Sequence, residues 1–217
     1  MKTIKSEIYR YLGYRNISYD ETTDTLIDEV LEEFKKTVNP KSVYKELMVS
    51  LENNNIIKVY DENNLMKIHS KGLFKNLFGC ERLILFAATL GREADMLIKK
   101  YEISNMAKAA VSQACGAALI EAYCDELQEK IRKSYEDRYF LKPRFSPGYG
   151  DFELTHQRDV FKILDCQKRL ALSLTDNCLM IPSKSVTAVI GLSKNSEGCN
   201  INKCKACTKT NCEFRCE

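Results

Sequence analysis

The sequence lacks three features that would indicate a protein class at once: a long apolar run, an excess of charge of one sign, and an internal repeat or low-complexity linker. No apolar stretch approaches the length of a membrane span, about 18 residues, and residues 1–7 lack the apolar core of a signal peptide. We therefore expect a soluble, cytoplasmic protein with no membrane partner. The 33 basic and 30 acidic side chains leave a formal net charge of +3, too small to indicate a general attraction to nucleic acid.

Cysteine, in contrast, is abundant, with ten among 217 residues. In a reducing compartment, dense cysteine indicates metal ligation or redox chemistry rather than structural disulfides. Five cysteines are scattered among apolar or helical stretches and are predicted to be small core residues: Cys80, Cys115, Cys124, Cys166 and Cys178. The other five crowd the end of the sequence: Cys199, Cys204, Cys207, Cys212 and Cys216.

Apolar periodicity predicts an α+β fold. Helical patterns cover residues 18–39, 92–101, 105–135 and 156–172. Strand patterns cover residues 43–51, 56–60, 65–69, 83–88 and 185–192. Asparagine clusters separate the first three strands and favour an antiparallel meander, so we expect one antiparallel sheet with covering helices. Residues 1–192 are predicted to form this domain, with a helical and hairpin N-terminal part over about residues 1–78, and residues 193–217 a cysteine-rich metal-binding tail.

One loop, residues 142–151, has the composition of a small-molecule site. It holds Arg144, Ser146 and Tyr149, two prolines and two glycines, including Gly148. Prolines restrict the backbone, glycines let it approach a ligand closely, and arginine supplies a charged fork. Such a loop suits a small zwitterionic or anionic ligand, although a rigid surface turn has the same composition.

A set of motifs in a fixed order resembles a known family. The motifs are Tyr11-Leu12-Gly13-Tyr14-Arg15, Ala88-Thr89-Leu90-Gly91-Arg92-Glu93, Arg144-x-x-x-Gly148-Tyr149, His156, Leu174-Thr175, Met180, Pro182 and Ser185-Val186. Over nearly the whole chain, up to about residue 192, the sequence resembles the activation domain of cobalamin-dependent methionine synthase, in a free-standing form.

The resemblance implies a function. Domains of this family have a twisted antiparallel sheet, bind S-adenosylmethionine and cap the cobalamin of a methionine synthase or related corrinoid protein. They reactivate this methyltransferase when its cofactor is stranded as cob(II)alamin, because one-electron reduction with methyl transfer from S-adenosylmethionine restores methylcobalamin. The cobalamin would be carried by the partner, and a flavodoxin or ferredoxin is one candidate electron donor.

The resemblance also assigns residues. Arg144 would contact the carboxylate of S-adenosylmethionine, Gly148 would admit the ligand's backbone, and Tyr149 would lie beside the ligand, in a loop that includes Ser146. Glu121 matches a family glutamate on the long helix. A second acidic position of the family is occupied here by Arg138, which puts that contact in doubt, and His156 matches a family histidine to which we assign no catalytic role.

The helical pattern around Glu121 partly supports a role for this residue in ligand binding. Glu121 lies on one helical stripe with Ala114, Ala117 and Ala118, which would leave open space above the carboxylate, although a solvent-facing glutamate fits the same pattern. We also expect Arg144 to be an exposed loop residue that contributes little packing.

The cysteine tail predicts a metal centre. Its five thiols can close around one metal because each link between them is short. The spacing Cys199-x4-Cys204-x2-Cys207 matches the opening of the plant-type iron-sulfur motif. The fourth cysteine of that motif is distant, whereas here Cys212 follows five residues on, so zinc is the alternative. In the family, the segment at this position returns toward the S-adenosylmethionine site. The resemblance therefore implies that an iron-sulfur cluster in the tail would lie close enough to the cobalamin to supply the electron. Two other functions stay open: an iron-sulfur activator of another corrinoid protein, and a zinc-stabilised interaction module.

Overall fold

The structure, a computed structural model, describes residues 4–14 and 21–199. Its helices are α1 (Ile4–Tyr11), α2 (Glu21–Thr37), α3 (Lys71–Asn76), α4 (Arg92–Ser104), α5 (Met106–Tyr135), α6 (Gln157–Leu164) and α7 (Cys166–Leu170). Its strands are β1 (Lys41–Glu52), β2 (Ile56–Tyr60), β3 (Leu65–His69), β4 (Cys80–Thr89), β5 (Phe140–Leu141), β6 (Ser173–Leu174), β7 (Met180–Ile181) and β8 (Ser185–Ser193).

Six strands form one sheet in the order β3-β2-β1-β4-β8-β5, and each neighbouring pair is antiparallel. The predicted meander is confirmed as β1, β2 and β3, and the apolar run 83–88 lies in β4, at the centre of the sheet. Because β4 is covered on both faces, its residues are apolar without alternation. Strands β6 and β7 pair separately.

The two faces of the sheet pack against different helices. Alternate residues of β4, such as Ile84 and Phe86, join a core cluster with α1, α2, α4 and α5. Their neighbours Leu83 and Leu85 join a second cluster with α3, α6 and α7. The result is a three-layer α+β domain in which the sheet separates two apolar cores.

The long helix α5 is confirmed, and its start is set by a cap. The side-chain oxygen of Asn105 accepts a hydrogen bond from the backbone N–H of Lys108 at 3.1 Å, which satisfies one of the free donors of the first turn. In contrast, the single helical stretch predicted over residues 156–172 is wrong. Asp165 adopts a left-handed conformation with φ of 52° and divides the stretch into α6 and α7.

The five scattered cysteines are buried and free, as predicted. Among the described residues, no helix has both the length and the apolarity that a bilayer crossing requires.

Candidate functional site

The candidate loop continues the edge strand β5 along β8. The backbone N–H of Lys142 donates to the carbonyl of Gly191 at 2.8 Å, and Phe145 and Val189 exchange two hydrogen bonds at 3.0 and 2.9 Å. Because side chains alternate along an extended chain, Arg144 and Phe145 point to opposite faces of the sheet. Phe145 packs with the core of α3, α6 and α7, and Arg144 lies against α5.

Arg144 is held by two carboxylates of α5. Its Nη2 lies 2.9 Å from Oε2 of Glu121 and 2.7 Å from Oδ1 of Asp125. The Arg144 side chain is only 5% exposed, whereas those of Glu121 and Asp125 are 45% and 74% exposed. The expectation of an exposed Arg144 with little packing is therefore wrong, because the edge-strand conformation turns this side chain inward. Asp125 was not predicted, although its position four residues after Glu121 places both on one helical face.

The guanidinium of Arg144 is incompletely satisfied. Its Nη1 is buried and has no hydrogen-bond partner among the residues that the structure describes. A buried donor without an acceptor costs about 1–3 kcal/mol, so such groups are rare in folded proteins. The arrangement fits a ligand that brings an anionic group, since Nη2 is already engaged and Nη1 still requires an acceptor.

The turn after Arg144 needs its glycine. Gly148 has φ of +87°, and a Cβ atom there would lie 3.1 Å from Cδ1 of Leu154. The Gly148 N–H donates to the carbonyl of Phe152 at 2.7 Å, and that of Tyr149 donates to the carbonyl of Ser146 at 3.1 Å. These bonds close the turn, so the backbone at Gly148 is held in one left-handed conformation.

Tyr149 is the exposed aromatic residue of this turn. It is 53% exposed, and its ring meets the ring of Phe145 edge-to-face, with the ring centres 5.4 Å apart. Ser146 is half-buried beside it. The exposed ring can therefore contact a flat ligand while one edge stays fixed by Phe145.

Asp151 anchors the far end of the loop to α3. Its carboxylate accepts hydrogen bonds from Ser70 Oγ at 2.6 Å and from the N–H groups of Lys71 and Gly72 at 2.6 and 3.0 Å. The Ser70 hydrogen bond and those backbone bonds lower the pKa of Asp151, against a smaller opposing effect of burial. Gly72 is required here, since an added Cβ would lie 2.9 Å from Oδ1 of Asp151. Sequence reasoning missed this anchor.

The alanine stripe beside Glu121 is not open. Ala114 and Ala118 are buried in the core, and only Ala117 is half-buried. Glu121 lies near α1. Burial raises the pKa of Tyr11, and the charge of Glu121 raises it further, which places the phenol of α1 near this carboxylate.

His156 and Arg138 have partners outside this loop. Nδ1 of His156 lies 2.9 Å from Oδ2 of Asp159, and its ring lies 5.5 Å from that of Phe152. The Arg138 guanidinium lies 5.3 Å from the centre of the Tyr135 ring. Neither contact brings these two residues to Arg144.

Of the five tail cysteines, only Cys199 lies within the described part of the chain. The Cys199 N–H donates to the carbonyl of Ser196 at 3.2 Å, a short turn after β8. The predicted ligands Cys204, Cys207, Cys212 and Cys216 lie outside the described residues. Within residues 4–14 and 21–199, no three His, Cys, Asp or Glu side chains are placed to hold a metal ion.

Comparisons with known proteins agree with this fold. The model of the family described as vitamin B12 dependent methionine synthase, activation domain, matches residues 75–212, so the chain belongs to that family. The match begins at residue 75, after the first of the resembling motifs at residues 11–15, and it ends at residue 212, within the cysteine tail.

A solved structure of the MetH reactivation domain bound to AdoHcy is similar over 90% of this chain and 78% of that chain, with a TM-score of 0.64 and 19% sequence identity. This likeness confirms the predicted fold class. No curated protein matches the sequence.

Proposed function

We propose that this activation domain binds S-adenosylmethionine between the loop at residues 144–151 and helix α5. The observation that carries the proposal is Arg144, a buried arginine whose Nη2 is paired with Glu121 and Asp125 while Nη1 has no acceptor among the described residues. S-adenosylmethionine carries a carboxylate that Nη1 can bind, and charged hydrogen bonds of this kind are strong. The solved relative bound to AdoHcy supports the same ligand class.

The other residues of the site would surround the ligand. Glu121 is half exposed, so its free oxygen can accept a hydrogen bond from the ligand's amino group and attract its sulfonium cation. Gly148 would let the ligand approach the backbone, Ser146 would line the same turn, and Tyr149 would cover one side of the ligand.

The proposed reaction is the reductive methylation of cob(II)alamin carried by a corrinoid partner, a methionine synthase or a related protein. One electron is added, the methyl–sulfur bond of S-adenosylmethionine breaks, a cobalt–carbon bond forms, and the products are methylcobalamin and S-adenosylhomocysteine. No proton is moved, so the domain needs no general base. Its contribution is to orient the sulfonium methyl group and to exclude water.

The electron would come from a flavodoxin or ferredoxin, or from a metal centre in the tail. We propose that the tail cysteines, Cys199, Cys204, Cys207, Cys212 and Cys216, bind an iron-sulfur cluster, with zinc as the alternative. The absorption spectrum of anaerobically purified protein tests this assignment. Visible absorption that bleaches with dithionite is expected for a cluster, and a colourless protein that contains zinc would overturn it.

The proposed function is tested with a cob(II)alamin-bearing methionine synthase fragment and a chemical or protein reductant. We expect methylcobalamin to accumulate only when both the domain and S-adenosylmethionine are present. The Arg144→Ala variant is compared with wild type at saturating S-adenosylmethionine and at concentrations far below saturation. If the variant formed as much methylcobalamin as wild type under both conditions, the proposed binding site would be contradicted. Accumulation without the domain would contradict the function.

A further inference from the structure

Lys184 is a half-buried cation just before β8 that the proposed site does not include. Its carbonyl accepts a hydrogen bond from the N–H of Leu90 at 2.9 Å. The preceding residue, Ser183, donates from its N–H and its hydroxyl to the carboxylate of Asp95 on α4, at 2.8 and 2.6 Å. The backbone at Lys184 is therefore fixed to the sheet and to α4, which limits the directions that its side chain can take.

The side chain of Lys184 lies on α5 because the helix has a glycine at this point. A Cβ atom on Gly116 would lie 2.9 Å from Lys184 Cε and 3.1 Å from its Cδ and Cγ. The ammonium donates to the side-chain oxygen of Gln113 at 2.8 Å and to the Gln113 carbonyl at 3.2 Å. Within the described part of the chain these are its two hydrogen bonds, so one of its three donors is available to a ligand.

Lys184 and Arg144 contact the same ridge of α5. Four residues of the helix, each four positions from the next, lie along one line of its surface: Gln113, Ala117, Glu121 and Asp125. Lys184 binds the first of them, and Arg144 binds the last two. Gln113 and Glu121 are about 12 Å apart along the helix axis. The ridge therefore has a cation bound toward each end.

The surface between the two cations is partly exposed and carries short side chains. Ala117 is the half-buried residue of the ridge between Gln113 and Glu121. On β8, Val186 is half-buried and packs with the core on the α5 side, the side to which Lys184 also points. An elongated ligand could therefore lie along the ridge and reach both cations.

We propose that Lys184 binds the nucleoside of S-adenosylmethionine, at the end of the site opposite Arg144. The inference rests on the proposed function, in which Arg144 holds the ligand carboxylate. A ligand that extends from Arg144 along the ridge brings its sulfonium past Glu121 and its ribose and adenine toward Lys184. Ribose oxygens and adenine ring nitrogens accept hydrogen bonds, which the available donor of the ammonium can supply.

The surroundings of Lys184 favour such a contact. Burial lowers the pKa of its ammonium, and the charge of Asp95 opposes this effect. The ammonium is thus partly removed from water, and its two protein acceptors belong to one uncharged residue, Gln113. A ligand acceptor would replace water that burial has displaced, so Lys184 would distinguish an adenosyl ligand from a sulfonium without a nucleoside.

The test is calorimetry with two ligands: S-adenosylmethionine and 5′-methylthioadenosine, which has the nucleoside but no amino-acid group. Lys184→Met keeps the apolar stem over Gly116 and removes the ammonium, so the dissociation constants of both ligands should rise about 10-fold. Arg144→Ala should weaken S-adenosylmethionine only. Lys168→Met, at an exposed position on α7, is the matched control and should bind both ligands as wild type does.

A second measurement uses wild-type protein and does not depend on a variant that folds. Lysines are acetylated with a limiting amount of reagent, with and without saturating 5′-methylthioadenosine, and the sites are quantified by mass spectrometry. The ligand should slow acetylation of Lys184 at least about 3-fold and leave that of Lys168 unchanged. Equal rates at Lys184 with and without the ligand would overturn the inference.

The outcomes separate this inference from the proposed function. Unchanged affinity of Lys184→Met for both ligands, together with weaker S-adenosylmethionine binding by Arg144→Ala, would overturn the role of Lys184 and leave the proposed function intact. A wild-type protein that does not bind S-adenosylmethionine would overturn both.

Discussion

Replacement of Arg144 by alanine is the sharpest test of the proposed site. The guanidinium binds Glu121 and Asp125 through Nη2, and its buried Nη1 is free of acceptors among the described residues. A charged hydrogen bond contributes about 1.5–3 kcal/mol, so loss of the contact to the ligand carboxylate should raise the dissociation constant for S-adenosylmethionine about 10- to 150-fold.

The effect on stability should be smaller. Both carboxylates are substantially exposed, at 45% and 74%, so water can solvate them when the arginine is removed. Exposed ion pairs contribute at most about 1 kcal/mol, and the buried stem of Arg144 adds a similar amount. We expect Arg144→Ala to lower the free energy of unfolding by about 1–2 kcal/mol and to stay folded at 25 °C.

Calorimetry with S-adenosylmethionine and urea unfolding would measure the two effects separately. Arg144→Lys keeps the charge but loses the planar fork, so its affinity should lie between those of the wild type and the alanine variant. Arg169→Ala, at an exposed position on α7, is the control and should change neither quantity. A dissociation constant for Arg144→Ala within about twofold of wild type would refute the assignment of the ligand carboxylate to Arg144.

Three further predictions concern the loop and its carboxylates. Gly72→Ala should lower the melting temperature and weaken S-adenosylmethionine binding, because its Cβ would lie 2.9 Å from the carboxylate of Asp151; Lys71→Ala, on the same turn of α3, should do neither. Asp151 has a lowered pKa, so the stability that its ionised form contributes is present above its unfolded pKa and is lost as pH falls through the folded value; Asp151→Asn should reduce stability at neutral pH and flatten its decline below about pH 4, as melting curves across pH would show. Glu121→Gln should weaken binding of the sulfonium S-adenosylmethionine about 5-fold more than binding of the uncharged sulfide S-adenosylhomocysteine, and equal losses by calorimetry would contradict an electrostatic role for Glu121.

Local patterns in the sequence predicted most of the secondary structure. The asparagine clusters between the first three strands and the apolar run in β4 are signals that depend on neighbours in the chain. The break between α6 and α7 could not be predicted this way. It depends on Asp165 in a left-handed conformation, which the helical periodicity around it does not reveal.

The candidate site divides in the same manner. The sequence motif was enough to predict which loop residues belong to the site. It was not enough to predict that Arg144 is buried or that Asp125 binds it. Both depend on the loop pairing with β8 beside α5, and the hydrogen bond from Arg144 to Glu121 joins residues 23 positions apart. The anchor from Asp151 to Ser70 spans 81 positions, beyond the reach of any local pattern.

The sequence by itself determined the α+β class, the order of the main elements and the family resemblance. It also identified the two regions whose residues could bind a ligand or a metal, the loop at residues 142–151 and the cysteine tail. The resemblance follows from motifs that occur in the family's order, and the other properties follow from composition, periodicity and spacing along the chain. Only the tertiary structure decided that Arg144 is buried against α5 and that Asp151 anchors the loop to α3. The physical reason is that side-chain surroundings depend on which strands pair and which helices cover them, and these contacts join residues that no short stretch of sequence contains.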